Sequence, residues 1–238
     1  MKALGRLAVI LALAAVPGTV RAGGPAVVEL FTAQGCAPCK DANRLLARIA
    51  DRPGVIALTW PVDYWDYLGW KDTFAQPAFT VRQKAYAHRL GPRDVYTPQV
   101  VVNGAGQASG DDEAAVEGLI DKAEHSRGHK PRIRWMGHSR LTVGGGAIAG
   151  RRPAADVWLV RYDPREQDVA VTAGDNRGST VTQRNIVRQV VRLGGWTGRL
   201  TAFKVPPADE PGLGAAVIVE ATHGGPILAA SAARGRGS

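Results

Sequence analysis

The stretch Ala26–Leu46, AVVELFTAQGCAPCKDANRLL, decides how this chain folds. Its first seven residues, Ala26–Thr32, form a nearly continuous apolar run, the signature of a strand covered on both faces. A short polar turn then delivers Cys36 and Cys39 to the start of a helical pattern. Pro38 suits a first helical turn, where its missing N–H costs nothing. Leu45, Leu46 and Ile49 recur at helical spacing, and Arg52-Pro53-Gly54 stops the helix. The chain holds only these two cysteines, so one intramolecular pairing is available to it. The Cys-X-X-Cys pair serves either thiol chemistry or as a small staple.

Outward from that stretch, strands and helices alternate as far as about residue 127. Val55–Pro61 reads as a second strand. A helix carrying Phe79, Val81, Tyr86 and Leu90 follows and ends at Gly91-Pro92. Gln99–Val102 is a third strand, Asn103-Gly104 a hairpin turn, and Gln107–Gly110 a short return strand. A last helix spans Asp112–His125, capped by Asp111. Beyond residue 130 the pattern becomes eight short strand-like runs: Ile133–Trp135, Leu141–Val143, Val157–Tyr162, Val169–Thr172, Thr180–Val191, Leu200–Lys204, Ala215–Glu220 and Ile227–Ala230. Glycine-rich and Asp-Pro turns separate them, which predicts an all-β, sandwich-like second domain.

The N-terminus has a different character. Lys2 and Arg6 precede an apolar core, Leu7–Val16, too short to span a bilayer at about 20 residues. Val20-Arg21-Ala22 supplies small residues at the −3 and −1 positions of a signal-peptidase site. The expectation is a cleaved export signal over residues 1–22, a periplasmic or secreted protein, and no membrane attachment after cleavage. Removing that segment takes away three basic residues and no acid, lowering the formal charge from +9 to +6. The remaining arginines are scattered rather than clustered with aromatics, which argues against a nucleic-acid partner. Export permits disulfides. The organisation expected is therefore a signal over 1–22, an α/β domain over 23–128 and an antiparallel β domain over 129–238.

The order β-α-β-α-β-β-α with Cys-X-X-Cys at the first strand–helix junction resembles the thioredoxin fold over about 100 residues. A second match is Tyr96-Thr97-Pro98: in thioredoxin-like proteins a cis-proline precedes the third strand and packs against the cysteine pair. Across both halves the chain also resembles a secreted bacterial family catalogued as domain of unknown function 1223. The residues carrying that likeness are Glu29–Thr32 before Gly35-Cys36, the run Val62–Asp72, Val95–Gln99, Asn176-Arg177-Gly178 and Asn185–Arg188. The family brings a thioredoxin-like fold and no established substrate.

Chemistry has to come from the residues. A free thiol, with a pKa of about 8.5, is a poor nucleophile at neutral pH, but a helix N-terminus lowers that value substantially. Cys36 is the expected nucleophile and Cys39 the resolving thiol, acting on protein or small-molecule thiols and disulfides with a redox partner the sequence leaves open. Thr97 and Pro98 complete the site by resemblance. Glu29 is the candidate proton acceptor on the first strand, although it lies seven residues before Cys36 where six is the commoner offset. Its alternatives are a solvent-exposed carboxylate or a salt bridge. Tyr64, Trp65 and Trp70, with Tyr96, are candidates for a substrate-holding lip; alternatively the aromatics of Asp63–Trp70 bury that insertion or dock the second domain. Neither a cofactor nor a metal is expected: Gly104–Gly110 lacks the dinucleotide spacing, and His125 and His129 have no third ligand nearby in sequence. Two other functions compete with the oxidoreductase: a binding or scaffold module with an inert disulfide, and a copper chaperone of thioredoxin fold.

Overall fold

The computed structural model describes residues 24–91, 94–126, 130–145 and 155–233. The expected export signal lies outside them, as does His129. Elements in chain order are β1 (Ala26–Thr32), α1 (Cys39–Ala50), β2 (Val55–Pro61), a 3-10 turn (Asp66–Leu68), α2 (Pro77–Leu90), β3 (Gln99–Val102), β4 (Gly106–Ser109) and α3 (Glu113–Glu124). Nine strands follow: β5 (Ile133–Met136), β6 (Arg140–Val143), β7 (Ala155–Asp163), β8 (Gln167–Ala170), β9 (Thr180–Gln183), β10 (Ile186–Trp196), β11 (Thr201–Lys204), β12 (Gly214–Ala221) and β13 (Ile227–Ala232). No helix among the described residues is long and apolar enough to cross a membrane.

Strand β1 is buried along its whole length, and its two faces meet different partners. Val28 and Leu30 pack on Ala42, Leu45, Leu46 and Ile49 of α1 and on Val116 and Ile120 of α3. On the opposite face Val27 and Phe31 pack with Trp60, and with Phe79 and Tyr86 of α2. Each side chain of this size contributes about 1.5–3 kcal/mol when fully buried, so β1 anchors both layers. Helix α2 opens on Pro77 and closes on Gly91 in the left-handed region, φ 85°, the conformation glycine reaches without a Cβ penalty. Asp112, rather than Asp111, caps α3 by accepting the Ala115 N–H at 3.0 Å.

The strands after residue 130 do not all pair among themselves. Four of them continue the first sheet, whose order is β13-β12-β7-β10-β2-β1-β3-β4. The join is narrow. Strand β10 runs parallel to β2 with Ile186 opposite Thr59, and the Thr59 N–H donates to the Asn185 carbonyl at 2.9 Å. The Thr59 hydroxyl donates to the Arg184 carbonyl at 2.6 Å, and Asn185 Nδ2 donates to the Ala57 carbonyl at 2.8 Å. Asn185 has φ 54°, which divides the expected Thr180–Val191 strand into β9 and β10. Periodicity could not reveal this break, because the residues on both sides keep strand character.

A three-stranded sheet, β11-β6-β5, covers the far half of the large one. Leu141, Val143 and Phe203 meet Val157, Leu159, Val217 and Val219 there. The result is a mixed α/β molecule with one large sheet, helices on its first half and a second β layer on its other half. The separate β sandwich expected after residue 128 is corrected accordingly: one of its layers is the extension of the first sheet. Short strands and turns specify strand count far better than which edge each strand joins.

Candidate functional site

Cys36 and Cys39 form a disulfide, with Cα atoms 5.4 Å apart. Cys39 is the first residue of α1, which begins without a side-chain cap. Its first-turn N–H groups therefore lie beside the disulfide loop, and that of Cys39 donates to the Cys36 carbonyl at 3.2 Å. Ala37 and Pro38 are exposed, yet both cysteines are fully buried.

Two other segments produce that burial by closing on the loop 33–36. From the second half, Asn176 is buried and its Nδ2 donates to the carbonyls of Gln34 and Cys36, each at 2.8 Å. Lys40 Nζ reaches Ser179 Oγ at 3.4 Å. From the segment between β2 and α2, buried Asp72 accepts the Gln34 N–H at 2.7 Å and the Phe74 N–H at 2.9 Å. Trp70 Nε1 donates to Gln34 Oε1 at 3.0 Å, and Gln34 Nε2 donates to Thr73 Oγ1 at 2.8 Å. The two clamps also meet each other, because a Cβ on Gly174 would stand 3.7 Å from Trp70 Cβ. Burial raises the Asp72 carboxyl above its ordinary value, against the backbone N–H groups of Gln34, Phe74 and Ala75, which favour its charged form.

The expected aromatic lip is partly a clamp. Trp70 holds Gln34. Tyr64 and Trp65 are half-buried and pack against the core cluster that contains both cysteines, and burial pushes the Tyr64 phenol up to about 12. Tyr96, half-buried, hydrogen-bonds Gln107. The Thr97–Pro98 peptide is cis. A Cβ on Gly110 would lie 2.9 Å from Pro98 Cβ, 3.0 Å from Ala42 Cβ and 3.2 Å from Leu30 Cδ1. Pro98 thus borders the first turns of α1, in a space only glycine leaves open.

Glu29 does not stand as a free base at the pair. Alternation along β1 puts it on the face of Val27 and Phe31, away from α1. It is fully buried and accepts from Arg82 Nε at 2.7 Å and Nη2 at 3.2 Å, and from the Tyr86 hydroxyl at 2.6 Å. Glu220 of β12 shares both partners: Arg82 Nη1 and Nη2 lie at 3.2 and 3.1 Å, and the Tyr86 hydroxyl at 2.7 Å. The salt-bridge alternative for Glu29 is the one realised, and the one-residue offset from the commoner position is its sequence signal.

Among the described residues no three or more His, Cys, Asp or Glu side chains gather to hold a metal ion. Sequence reasoning did not single out Asp72, Gln34 or Asn176 for this role. Asn176 lies 140 residues from Cys36, and no local pattern links them.

Fold and site together define a mixed α/β protein with a buried disulfide at the head of a helix, clamped from two sides. The chain belongs to the family described as proteins of unknown function, DUF1223, whose profile matches residues 27–220. A crystal structure of a structural-genomics target protein from Agrobacterium tumefaciens is similar. It is 30% identical, has a TM-score of 0.74, and the match covers 91% of this chain and 96% of that one. No functionally curated protein is significantly similar.

Proposed function

We propose that this is an exported thiol–disulfide oxidoreductase on a thioredoxin-like scaffold. The observation that carries the reading is the Cys36–Cys39 disulfide at the uncapped N-terminus of α1. The order of the elements β1 to α3 and the position of Pro98 beside the first turns of that helix add support. A helix N-terminus lowers a thiol's pKa through its unpaired N–H groups and positive dipole end. In the reduced protein the Cys36 thiolate attacks a substrate disulfide, and one substrate sulfur leaves as a thiol. The Cys39 thiolate then attacks Cys36 Sγ, closing the intramolecular disulfide and releasing the second substrate thiol. The substrate gains two electrons and two protons, and the pair loses them.

Complete burial of both cysteines favours a second reading, an inert staple in a binding module. Against it, the closed loop is so short that its entropic contribution to stability is small. The oxidoreductase therefore requires one of the two segments closed on the loop, that of Asn176 or that of Asp72, to open during reaction. A Cys39→Ser variant incubated with cell-envelope proteins tests this. The expected result is accumulation of mixed disulfides through Cys36. If Cys36 alkylates readily in that variant and no mixed disulfides form, the staple reading stands.

A further inference from the structure

Away from the disulfide, a cavity of about 500 Å³ opens between α2 and the extended half of the sheet. Ala78, Val81 and Ala85 of α2 form one wall, and Trp158 of β7 and Val190 of β10 the other. Arg82, Tyr86 and Glu220 also line it, and its volume lies within the range usual for small-ligand sites. The groups in mutual contact here are two carboxylates, Glu29 and Glu220, and one guanidinium, Arg82. Arg82 engages each carboxylate through two nitrogens, Glu29 at 2.7 and 3.2 Å and Glu220 at 3.2 and 3.1 Å, so one positive charge serves two acids, and Glu220 is the one that lines the cavity. Asp156, also lining it, is already paired with Arg192 at 2.7 Å, and His223 lines it as well.

Proton bookkeeping leads to the same surplus. The Tyr86 hydroxyl lies 2.6 Å from a Glu29 oxygen and 2.7 Å from a Glu220 oxygen. A hydroxyl has one proton to donate, and its oxygen also accepts from Arg82 Nη2 at 2.6 Å, so Tyr86 can fully satisfy only one of the two carboxylates. Burial likewise favours the neutral form of Glu220. A ligand cation can supply the missing positive charge, and Trp158 offers an aromatic wall suited to one.

We propose that this cavity binds a small apolar molecule carrying one primary ammonium group, held by Glu220 with its apolar body between α2 and Trp158. The proposal is independent of the cysteine chemistry. Titration calorimetry of the purified protein with phenethylamine, phenethyl alcohol and hydrocinnamate tests it. The amine is expected to bind at least tenfold more tightly than the alcohol, and the acid to bind weakest. Glu220→Gln should remove the amine's advantage while leaving the alcohol's affinity unchanged. Ala78→Trp, on the exposed face of α2, should block both ligands without disturbing the buried cluster. A Cys36→Ser/Cys39→Ser protein should bind as the parent does. Equal affinity for amine and alcohol, preference for the acid, no amine binding, or undiminished binding by Ala78→Trp would each overturn the proposal.

Discussion

At the scale of single residues, the charges inside this molecule are tied to partners far away in sequence. Arg82 joins Glu29 to Glu220 beneath α2, and it also lies over the rings of Trp60 and Tyr86. Removing one member of a buried charge cluster costs about 3–5 kcal/mol, because its partners stay charged and unpaired. Arg82→Met should therefore destabilise the protein by about that amount in urea unfolding. Glu220 also gives a pH signature. Its folded-state pKa is raised, chiefly by burial and against the pull of Arg82, so the folded state holds its proton to higher pH than the unfolded chain. Stability from this group is present below the unfolded carboxyl value of about 4.3 and is lost as pH rises through the raised folded value. Thermal melts across that window should show Glu220→Gln losing less stability with rising pH than the parent. Asp72 acts on the disulfide loop instead. Replacing it with Ala leaves the N–H groups of Gln34 and Phe74 without their acceptor, at about 1–3 kcal/mol for a buried group left unpaired. Chemical denaturation should register that loss. Cys36 and Cys39 stand out by their spacing, and Pro98 by the resemblance to thioredoxin-like proteins. Asp72 and Asn176 do not, since an ordinary Asp or Asn becomes a clamp only when the fold brings it to the loop.

At the scale of elements, the bounds of β1, β2 and β3 were legible, because apolar runs with turn residues on both sides identify buried strands. Sheet order was not. Between β2 and β10 the second half joins the first through one register pair, Ile186 with Thr59, and through the side chains of Thr59 and Asn185. Nothing in their local pattern marks either as a joint. Asn185 holds a left-handed backbone and donates to the Ala57 carbonyl. Asn185→Val combines a β-branched side chain at positive φ, costing about 1–2 kcal/mol, with the lost hydrogen bond. It should be clearly less stable than Asn185→Gly, which keeps the backbone conformation and loses only the bond. Parallel denaturation curves of the two variants separate these contributions. Gly110→Ala places a Cβ 2.9 Å from Pro98 and 3.0 Å from Ala42. Overpacking of that kind costs about 1–3 kcal/mol, and here the strain falls on the helix that carries Cys39.

At the scale of the whole molecule, the disulfide loop is a product of both halves. A chain ending after Glu124 would expose the β2 edge that β10 covers, and would lose Asn176 and its two bonds to the loop. Such a fragment is expected to melt with lower cooperativity than the full chain, and the broadened transition in calorimetry is the check. The alternation of strands and helices before residue 127 made the α/β half readable, whereas the eight later runs suggested a self-contained sandwich. Backbone pairing of β10 with β2, Ile186 opposite Thr59, decided otherwise. The same continuity explains how a pair placed at a helix head is nevertheless fully covered. The central claim, that this covered pair is redox-active, is tested most directly by its reduction potential. Equilibrating the purified protein against graded dithiothreitol and glutathione buffers, with the thiol state read by alkylation, provides the value. The proposed redox role predicts a potential above about −300 mV, in the range of catalytic Cys-X-X-Cys pairs. A value below about −300 mV would mark an inert structural disulfide and contradict it.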